Sequence, residues 1–157
     1  METAVEIQDA DVRDALEILR LQRLAYQSEA AIYDDYTIPP LTQLLEEVEA
    51  DLQRQVVLNA FADDRIVGSV RAQERDGTCF IGRLIVHPDW QNQGIGTRLM
   101  NEIEGRFPSA RRFELFTGDK SERNLHLYQK LGYHRLRTEQ QTDRVRIVYL
   151  EKIAGGQ

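Results

Sequence analysis

The fold is decided by the stretch Leu84-Ile85-Val86-His87-Pro88-Asp89-Trp90-Gln91-Asn92-Gln93-Gly94-Ile95-Gly96-Thr97-Arg98-Leu99-Met100, which joins an apolar strand to an amphipathic helix. The strand ends at Val86, and apolar residues then recur every four positions from residue 95 to residue 103. Backbone N–H groups at a helix start have no partner inside the helix, and the helix dipole adds partial positive charge there. Gly94 and Gly96 let a ligand approach the backbone because they carry no Cβ. The stretch therefore predicts a pyrophosphate site at the start of the helix.

The predicted ligands of this pyrophosphate are consecutive residues of the turn, whose backbone amides and polar side chains can donate hydrogen bonds. They are Gln91, Asn92, Gln93, Gly94, Ile95, Gly96 and Thr97. The turn is not the nucleotide P-loop, which ends in Gly-Lys-Ser/Thr, because this chain has Gly96-Thr97-Arg98. It is not the dinucleotide fingerprint either, since Leu99 stands where a third glycine is required.

Around this stretch, hydrophobic periodicity and turn residues predict an ordered series of strands and helices. In chain order they are a strand at Val5–Ile7, a helix from Asp9 or Asp11 to about Ala30, a helix from about Leu41 to Leu52, strands at Val56–Ala62, Ile66–Gln73 and Cys79–Val86, a helix from residue 95 to Phe107, a strand at Phe113–Thr117, a helix at Ser121–Leu131, and strands at Tyr133–Arg137 and Arg144–Glu151. Tight turns join the three central strands, so these pair antiparallel. The next helix makes a right-handed crossover to a parallel strand. The order predicts an α+β fold with a mixed, mainly antiparallel sheet and helices on both faces.

Length and composition indicate one domain over residues 1–157, with a frayed tail at 153–157. The net charge of −6 argues against a nucleic-acid-binding surface, which needs clustered Lys and Arg. No apolar run approaches the ~20 residues that span a bilayer, and the N-terminus lacks the basic and apolar regions of a signal peptide. Cys79 is the only cysteine, so neither a disulfide framework nor a thiolate metal site is expected. We therefore expect a cytoplasmic protein that binds neither nucleic acid nor membrane.

Two segments resemble the motifs of the GCN5-related N-acetyltransferase (GNAT) superfamily. The stretch from Leu84 to Met100 is similar to the family's cofactor motif, with a Leu-x-Val strand, a proline, Gln-x-x-Gly-x-Gly and a Leu-Met helix in order. Downstream, Asn124-Leu125-His126-Leu127-Tyr128-Gln129-Lys130-Leu131-Gly132-Tyr133 resembles the second motif. The resemblance implies the GNAT fold and an acyltransferase that moves an acetyl group from acetyl-coenzyme A to an amine. It implies no metal, and homodimers are common in the family.

The resemblance also implies roles for particular residues. The strand ending at Leu84, Ile85 and Val86 would splay from its neighbour, and its freed backbone groups would bind pantetheine. Tyr128 matches the family tyrosine that protonates the departing thiolate, the alternative role being to support the helix under the sheet. Many members carry Asn where Ser121 stands, and Asn124 lies one turn before Tyr128 instead. Ser121 and Asn124 are therefore both candidates for cofactor contact.

Arg83 marks a departure from the family, because it occupies a place where members often carry an acidic residue that acts on the amine. The base could instead be Glu74, Glu114, Glu29 or a water chain. The segment from Tyr26 to Pro40 is expected to cover the acetyl end of the cofactor, and its acids and aromatics suit an amine or ammonium. Glu29, Tyr33, Glu74 and Glu114 are the candidates for acceptor binding. The acceptor could be a polyamine, an antibiotic, an amino acid or a protein N-terminus.

Three functions stay open at this point. The leading one is direct attack of a neutral amine on the thioester in a ternary complex, since Cys79 is expected to lie away from the site. The second is a catalytically inactive domain that senses coenzyme A or acts as a scaffold, which the arginine at position 83 keeps open. The third is a transferase that uses another acyl-coenzyme A, such as succinyl-coenzyme A.

Overall fold

The computed structural model describes residues 4–155. Its strands are β1 (Val5–Asp9), β2 (Val56–Ala62), β3 (Arg65–Arg75), β4 (Thr78–Val86), β5 (Arg112–Gly118), β6 (His134–Gln140) and β7 (Arg146–Ile153). Its α-helices are α1 (Ala15–Ala25), α2 (Gln27–Tyr33), α3 (Pro39–Thr42), α4 (Leu45–Arg54), α5 (Ile95–Gly105) and α6 (Glu122–Lys130). Short 3₁₀ turns at Val12–Asp14 and Pro88–Trp90 precede α1 and the turn before α5. No helix among the described residues is long and apolar enough to cross a membrane.

Across the described residues, the strands form one seven-stranded sheet in the order β1-β2-β3-β4-β5-β7-β6. Every neighbouring pair in it is antiparallel except β4 and β5, which are parallel. α5 provides the crossover between these two strands. The α+β class, the three-strand meander and the parallel pair are therefore confirmed.

Apolar side chains cover both faces of the sheet. On one face, Leu99 and Ile103 of α5 join the largest cluster of buried residues, which includes Leu58 of β2. On the other face, Ile18 of α1 packs in a second cluster with Ile85 of β4. α1 and α5 thus each bury an apolar stripe, and burial of these stripes fixes the two helices on the sheet.

The N-terminal helix differs from its prediction, because the chain forms two helices instead of one that ends near Ala30. The break lies at Tyr26, whose backbone leaves the helical region with φ −85° and ψ 1°. The second helix, α2, continues to Tyr33, whose hydroxyl donates to Asp119 after β5 at 2.9 Å. The spacing of apolar residues could not reveal the break, because the break goes with a contact between Tyr33 and Asp119, which are 86 positions apart in the chain.

The predicted interruption between the first two helices is present, since α2 ends at Tyr33, but the two prolines then begin a short helix that was not predicted. Pro39 and Pro40 occupy the first turn of α3, where a missing N–H costs nothing. The following helix, α4, starts at Leu45 and not near Leu41. Leu44, which lies inside the predicted helix, is instead 57% exposed and precedes α4, where its amide donates to Glu47 at 2.8 Å.

The C-terminal tail is more ordered than a frayed segment from residue 153 would be. Ile153 is the last residue of β7, and the amide of Ala154 donates to the carbonyl of Arg111 at 2.9 Å. These backbone hydrogen bonds hold the chain to the edge of β5. Residues 156 and 157, the rest of the predicted tail, lie outside the described residues.

Candidate active site

The parallel strands β4 and β5 separate after a short region of pairing. Only Thr78–Phe80 of β4 faces β5, at Arg112–Glu114, although β4 continues to Val86 and β5 to Gly118. A strand edge that has lost its neighbour carries backbone N–H and C=O groups that need other partners. The predicted splaying is therefore present, and it opens a wedge at the carboxyl end of β4.

The wedge contains a cavity of about 590 Å³. Four segments line it: the α1–α2 junction with Tyr26 and Glu29, the end of β4, the turn into α5, and α6. Leu84, Ile85 and Val86 form its wall on β4. Such a volume and such mixed walls are typical of sites for small molecules and cofactors.

The turn from Gln91 into α5 forms one end of the cavity. Asn92 and Gly94 both have left-handed backbones, with φ of 64° and 80°, and Gly94 precedes the first residue of α5. No side chain caps this helix start, and the amides of residues 95–97 have no backbone acceptor within residues 4–155. The Gln91 side chain donates to the carbonyl of Val86 at 3.3 Å, which ties the turn to β4. Unmet amides at a helix start of this kind suit a pyrophosphate.

The residues of the turn do not all face the cavity. Gln91, Asn92, Gly94, Ile95, Gly96 and Thr97 line it. Gln93 is exposed and is not part of the lining, so its predicted contact has no support from the geometry. Arg123 and Lys130 of α6 also line the cavity, and their positive charge favours a phosphorylated ligand.

Ser121 and Glu29 meet at the α6 side of the cavity. Ser121 is buried at the start of α6, and its hydroxyl donates to a Glu29 carboxylate oxygen at 2.6 Å. Burial raises the pKa of Glu29, and the hydrogen bond from Ser121 opposes that rise. A carboxylate with a raised pKa beside a cavity can accept a proton near neutral pH.

Tyr128 lies under the sheet, just outside the lining of the cavity. Its side chain is 6% exposed, and its ring packs against Tyr133 with the centroids 6.1 Å apart. Among residues 4–155 no hydrogen bond reaches its hydroxyl, and burial, with smaller contributions from Tyr26 and Glu29, raises its pKa. The hydroxyl thus stays protonated, as an acid requires. Leu127 of α6 and Leu131 just after it are only partly buried.

Asn124 also lines the cavity, and its side chain donates to Thr117 at 3.2 Å.

Three of the candidates for acceptor binding lie outside the cavity. Tyr33 is buried, accepts from the Lys120 amide and donates to Asp119. Glu114 is paired with Arg112 at 2.8 Å. Glu74 lies opposite Cys79, beyond the closed end of the wedge. Of the carboxylates proposed as the base, only Glu29 borders the cavity.

The sequence did not single out Tyr26 as a site residue, although it named the segment that Tyr26 begins. This side chain lines the cavity beside Glu29, and burial raises its pKa while the charge of Arg83 lowers it. In the sequence, Tyr26 lies at helical spacing from the apolar residues of the first predicted helix, which is typical of a core residue. Only the helix break at this position could have revealed it.

Coenzyme A fits the residues that the wedge presents. The free edge of β4 offers backbone groups to an extended amide chain, and the uncapped start of α5 offers amides to a pyrophosphate. No group of three or more His, Cys, Asp or Glu side chains within residues 4–155 could hold a metal ion.

Comparison with known proteins identifies relatives of this chain. The sequence model of the acetyltransferase (GNAT) family matches residues 16–133. The PaiA N-acetyltransferase of Thermoplasma acidophilum, solved in complex with coenzyme A, superposes with a TM-score of 0.78 at 18% identity, covering 96% of this chain and 99% of that one. An acetyltransferase of the GNAT family from Streptococcus pneumoniae gives a TM-score of 0.75 at 22% identity, over 96% and 99% of the two chains. Both likenesses show the fold.

One curated protein is similar in sequence. The UPF0157 protein YqkA of Bacillus subtilis (strain 168) is 26% identical over 132 residues, which is 84% of this chain. The chain spans 38% of that protein's length.

Proposed function

This chain belongs to the acetyltransferase (GNAT) family, and from that premise we propose that it transfers an acetyl group from acetyl-coenzyme A to the amine of a small molecule or peptide. One observation carries the proposal: a single cavity joins a helix start suited to pyrophosphate with a carboxylate suited to act as a base. The free edge of β4 runs between the start of α5 and this carboxylate.

The cofactor would be held mainly by backbone groups. The amides at the start of α5 would receive the pyrophosphate, with the hydroxyl of Thr97 as a further donor. The free edge at Leu84–Val86 would bind the pantetheine arm. Asn124 lines the same cavity from α6 and can contact the cofactor there. Backbone binding of this kind depends on the splay and on the glycines, and little on side-chain identity.

Bound acetyl-coenzyme A supplies an activated thioester, whose carbonyl carbon bonds to the amine nitrogen while its carbon–sulfur bond breaks. Glu29 takes a proton from the ammonium group, so that the attacking nitrogen has a free electron pair. Ser121 holds the carboxylate of Glu29 in place through its 2.6 Å hydrogen bond. Tyr128 gives its proton to the departing thiolate, and the second proton that the attacking nitrogen loses restores the Tyr128 hydroxyl. The products are an amide and free coenzyme A, and the proton on Glu29 passes to solvent.

A second function is a domain that binds coenzyme A without catalysis, and the position of Tyr128 favours it. This side chain is buried and lies outside the lining of the cavity. If its hydroxyl cannot reach the sulfur, the family's usual acid is lost. The carboxylate of Glu29 at the cavity is the observation that makes us prefer the enzyme.

The proposal is tested first by binding and then by turnover. Acetyl-coenzyme A at about 100 times its dissociation constant should raise stability by about 2.7 kcal/mol, seen as a shift in thermal unfolding. Release of free thiol is then followed with a panel of amines, with succinyl-coenzyme A in place of the acetyl donor as a comparison. A thermal shift with no thiol release from any amine would favour the binding domain, and no shift at all would refute both functions.

A further inference from the structure

One side of α6 lines the cavity along most of the helix. Four residues at the spacing i, i+3, i+4, i+7 share this side and belong to the cavity wall: Arg123, His126, Leu127 and Lys130. Seven residues at 1.5 Å each extend this side over about 10 Å. It therefore presents two positively charged side chains, Arg123 and Lys130, about two helical turns apart.

The middle of this side of α6 packs on the proposed pyrophosphate turn. A Cβ added to Gly96 would lie 3.4 Å from Cδ2 of Leu127, so the two residues are in close contact. Arg123 lies four residues before Leu127 and Lys130 three residues after it, each about one turn away on the same side of the helix. The two cations therefore flank the start of α5 from the neighbouring helix.

The two cations have no anionic partner in the described part of the protein. Arg123 and Lys130 are exposed, and neither forms an ion pair within residues 4–155. Arg98, the arginine of α5 closest to the turn, instead donates to the carbonyl of Val5 at 2.9 Å and so extends toward β1. A phosphate group beside the turn would thus meet the charges of α6.

Two carboxylates also line the cavity, and both lie at the start of α6. Glu29 accepts from Ser121, and Glu122 is the first residue of the helix. Lys130 is the last residue of α6, two turns away from Glu122. The positive charge is therefore least compensated toward Lys130.

We propose that Arg123 and Lys130 bind the 3′-phosphate of the nucleotide of coenzyme A, so that the protein selects coenzyme A over dephospho-coenzyme A, which lacks this group. The inference rests on the proposed function, since it concerns the same cofactor in the same cavity. Coenzyme A carries phosphate in two places, the pyrophosphate and the ribose 3′ position. The amides at the start of α5 suit the first. The 3′-phosphate is a monoester with close to two negative charges at neutral pH, which two flanking cations suit.

The test compares two ligands that differ only in the 3′-phosphate. Isothermal titration calorimetry with coenzyme A and with dephospho-coenzyme A measures binding without turnover. The native protein should bind coenzyme A about 5- to 30-fold more tightly, because each exposed ion pair contributes up to about fivefold. Added salt should reduce this preference, since exposed charges are screened. Equal affinities of the native protein for the two ligands would overturn the inference.

The variants Arg123→Met and Lys130→Met should each weaken binding of coenzyme A about 2- to 5-fold, and the double variant should remove the preference. Dephospho-coenzyme A should bind all three variants about as well as it binds the native protein. Lys130→Arg should keep the preference because it keeps the charge. Arg20→Met is the matched control, since Arg20 is an exposed arginine of α1 outside the cavity wall and its loss changes the net charge equally.

Two results in the double variant would refute the assignment. One is a preference for coenzyme A that persists. The other is an equal loss of affinity for both ligands, which would place the two cations at the pyrophosphate. Circular dichroism and thermal unfolding show that each variant is folded.

Failure of this inference is distinguishable from failure of the proposed function. If both ligands bind equally and amines are acetylated, only the assignment of Arg123 and Lys130 is refuted. If the preference is present and lost in the double variant while no amine is acetylated, the assignment stands and the catalytic proposal fails. If neither ligand binds, both fail.

Discussion

At the scale of single residues, the candidate chemistry depends on a half-buried carboxylate and a buried tyrosine that the fold brings near each other. Glu29 comes from α2 and Tyr128 from α6, and the Glu29 charge contributes to the raised pKa of Tyr128. Burial is the main cause of the raised pKa of each group, and it has opposite consequences for a base and for an acid. It makes the carboxylate a stronger base and the phenol a weaker acid.

Glu29→Gln should lower kcat/KM about 100-fold or more, because the amide cannot accept a proton, while the dissociation constant for coenzyme A changes little. In the native protein the rate should fall as the pH drops through the raised pKa of Glu29, since only the ionised form is a base. The rate–pH profile measures this, and Glu29→Gln should lack that acidic limb. An acidic limb that survives in the variant would assign it to another group.

Tyr128→Phe should lower turnover about 100-fold or more with cofactor binding unchanged, because it removes the proton donor and keeps the ring. Steady-state kinetics and a coenzyme A titration measure the two effects separately. Tyr133→Phe is the matched control, since that hydroxyl is buried as well but donates to Glu104 at 2.9 Å, away from the cavity. An unchanged rate in Tyr128→Phe would remove this residue from the mechanism.

At the scale of elements, the site depends on where α2 lies relative to β5. The break at Tyr26 turns α2 so that Tyr33 packs on Gly118 at the end of β5. The Tyr33 hydroxyl is held there by Asp119 and by the Lys120 amide. This contact positions Glu29, one turn earlier in α2, against Ser121. Tyr33 was a candidate for acceptor binding in the sequence, and in the structure it anchors α2 to the end of β5.

Gly118→Ala should reduce the free energy of unfolding by about 1–3 kcal/mol, the usual cost of overpacking, and should weaken acetyl transfer. A Cβ at this position would lie 2.8 Å from the Tyr33 ring. Chemical denaturation measures the stability change. Gly82→Ala is the control in a neighbouring strand, because its Cβ would meet nothing within 4 Å. Equal stabilities of the two variants would contradict the proposed anchoring contact.

At the scale of the whole molecule, a buried polar network connects the helices to the sheet behind the acceptor end. Arg71 of β3 is 2% exposed and reaches Gln22 of α1 and Asp51 of α4. Gln22 in turn donates to the carbonyl of Pro40, so the proline segment joins the same network. The network thus holds four separate segments of the chain in one arrangement.

Arg71→Met should destabilise the fold by about 3 kcal/mol, because Asp51 and Gln22 would lose their partner in a buried place. Denaturant unfolding measures this. Arg137→Met should cost less than about 1 kcal/mol, since the Arg137 side chain is 46% exposed and its ion pair is a surface pair. If both variants were equally stable, the network would not be a source of stability.

Local patterns in the sequence predicted the strands and the longer helices, but not the break at Tyr26 or the short helix α3. Alternation and turn residues predicted the meander, and an apolar stripe predicted α5, because these features report burial within one segment. The turn at Gln91–Thr97 could be identified because its function depends on backbone amides at a helix start. The resemblance to the family supplied the splay of β4 and β5, which no local pattern contains.

The acceptor end was decided by the tertiary structure. Of the four candidates for acceptor binding, three lie outside the cavity: Tyr33, Glu74 and Glu114. Glu29 meets Ser121 at the cavity through the helix break at Tyr26, which brings together residues 92 positions apart. By itself the sequence determined the turn at Gln91–Thr97, the proposed pyrophosphate site, since this turn is one continuous segment. The place where an acceptor could bind required the folded chain, since it combines segments whose proximity only long-range packing creates.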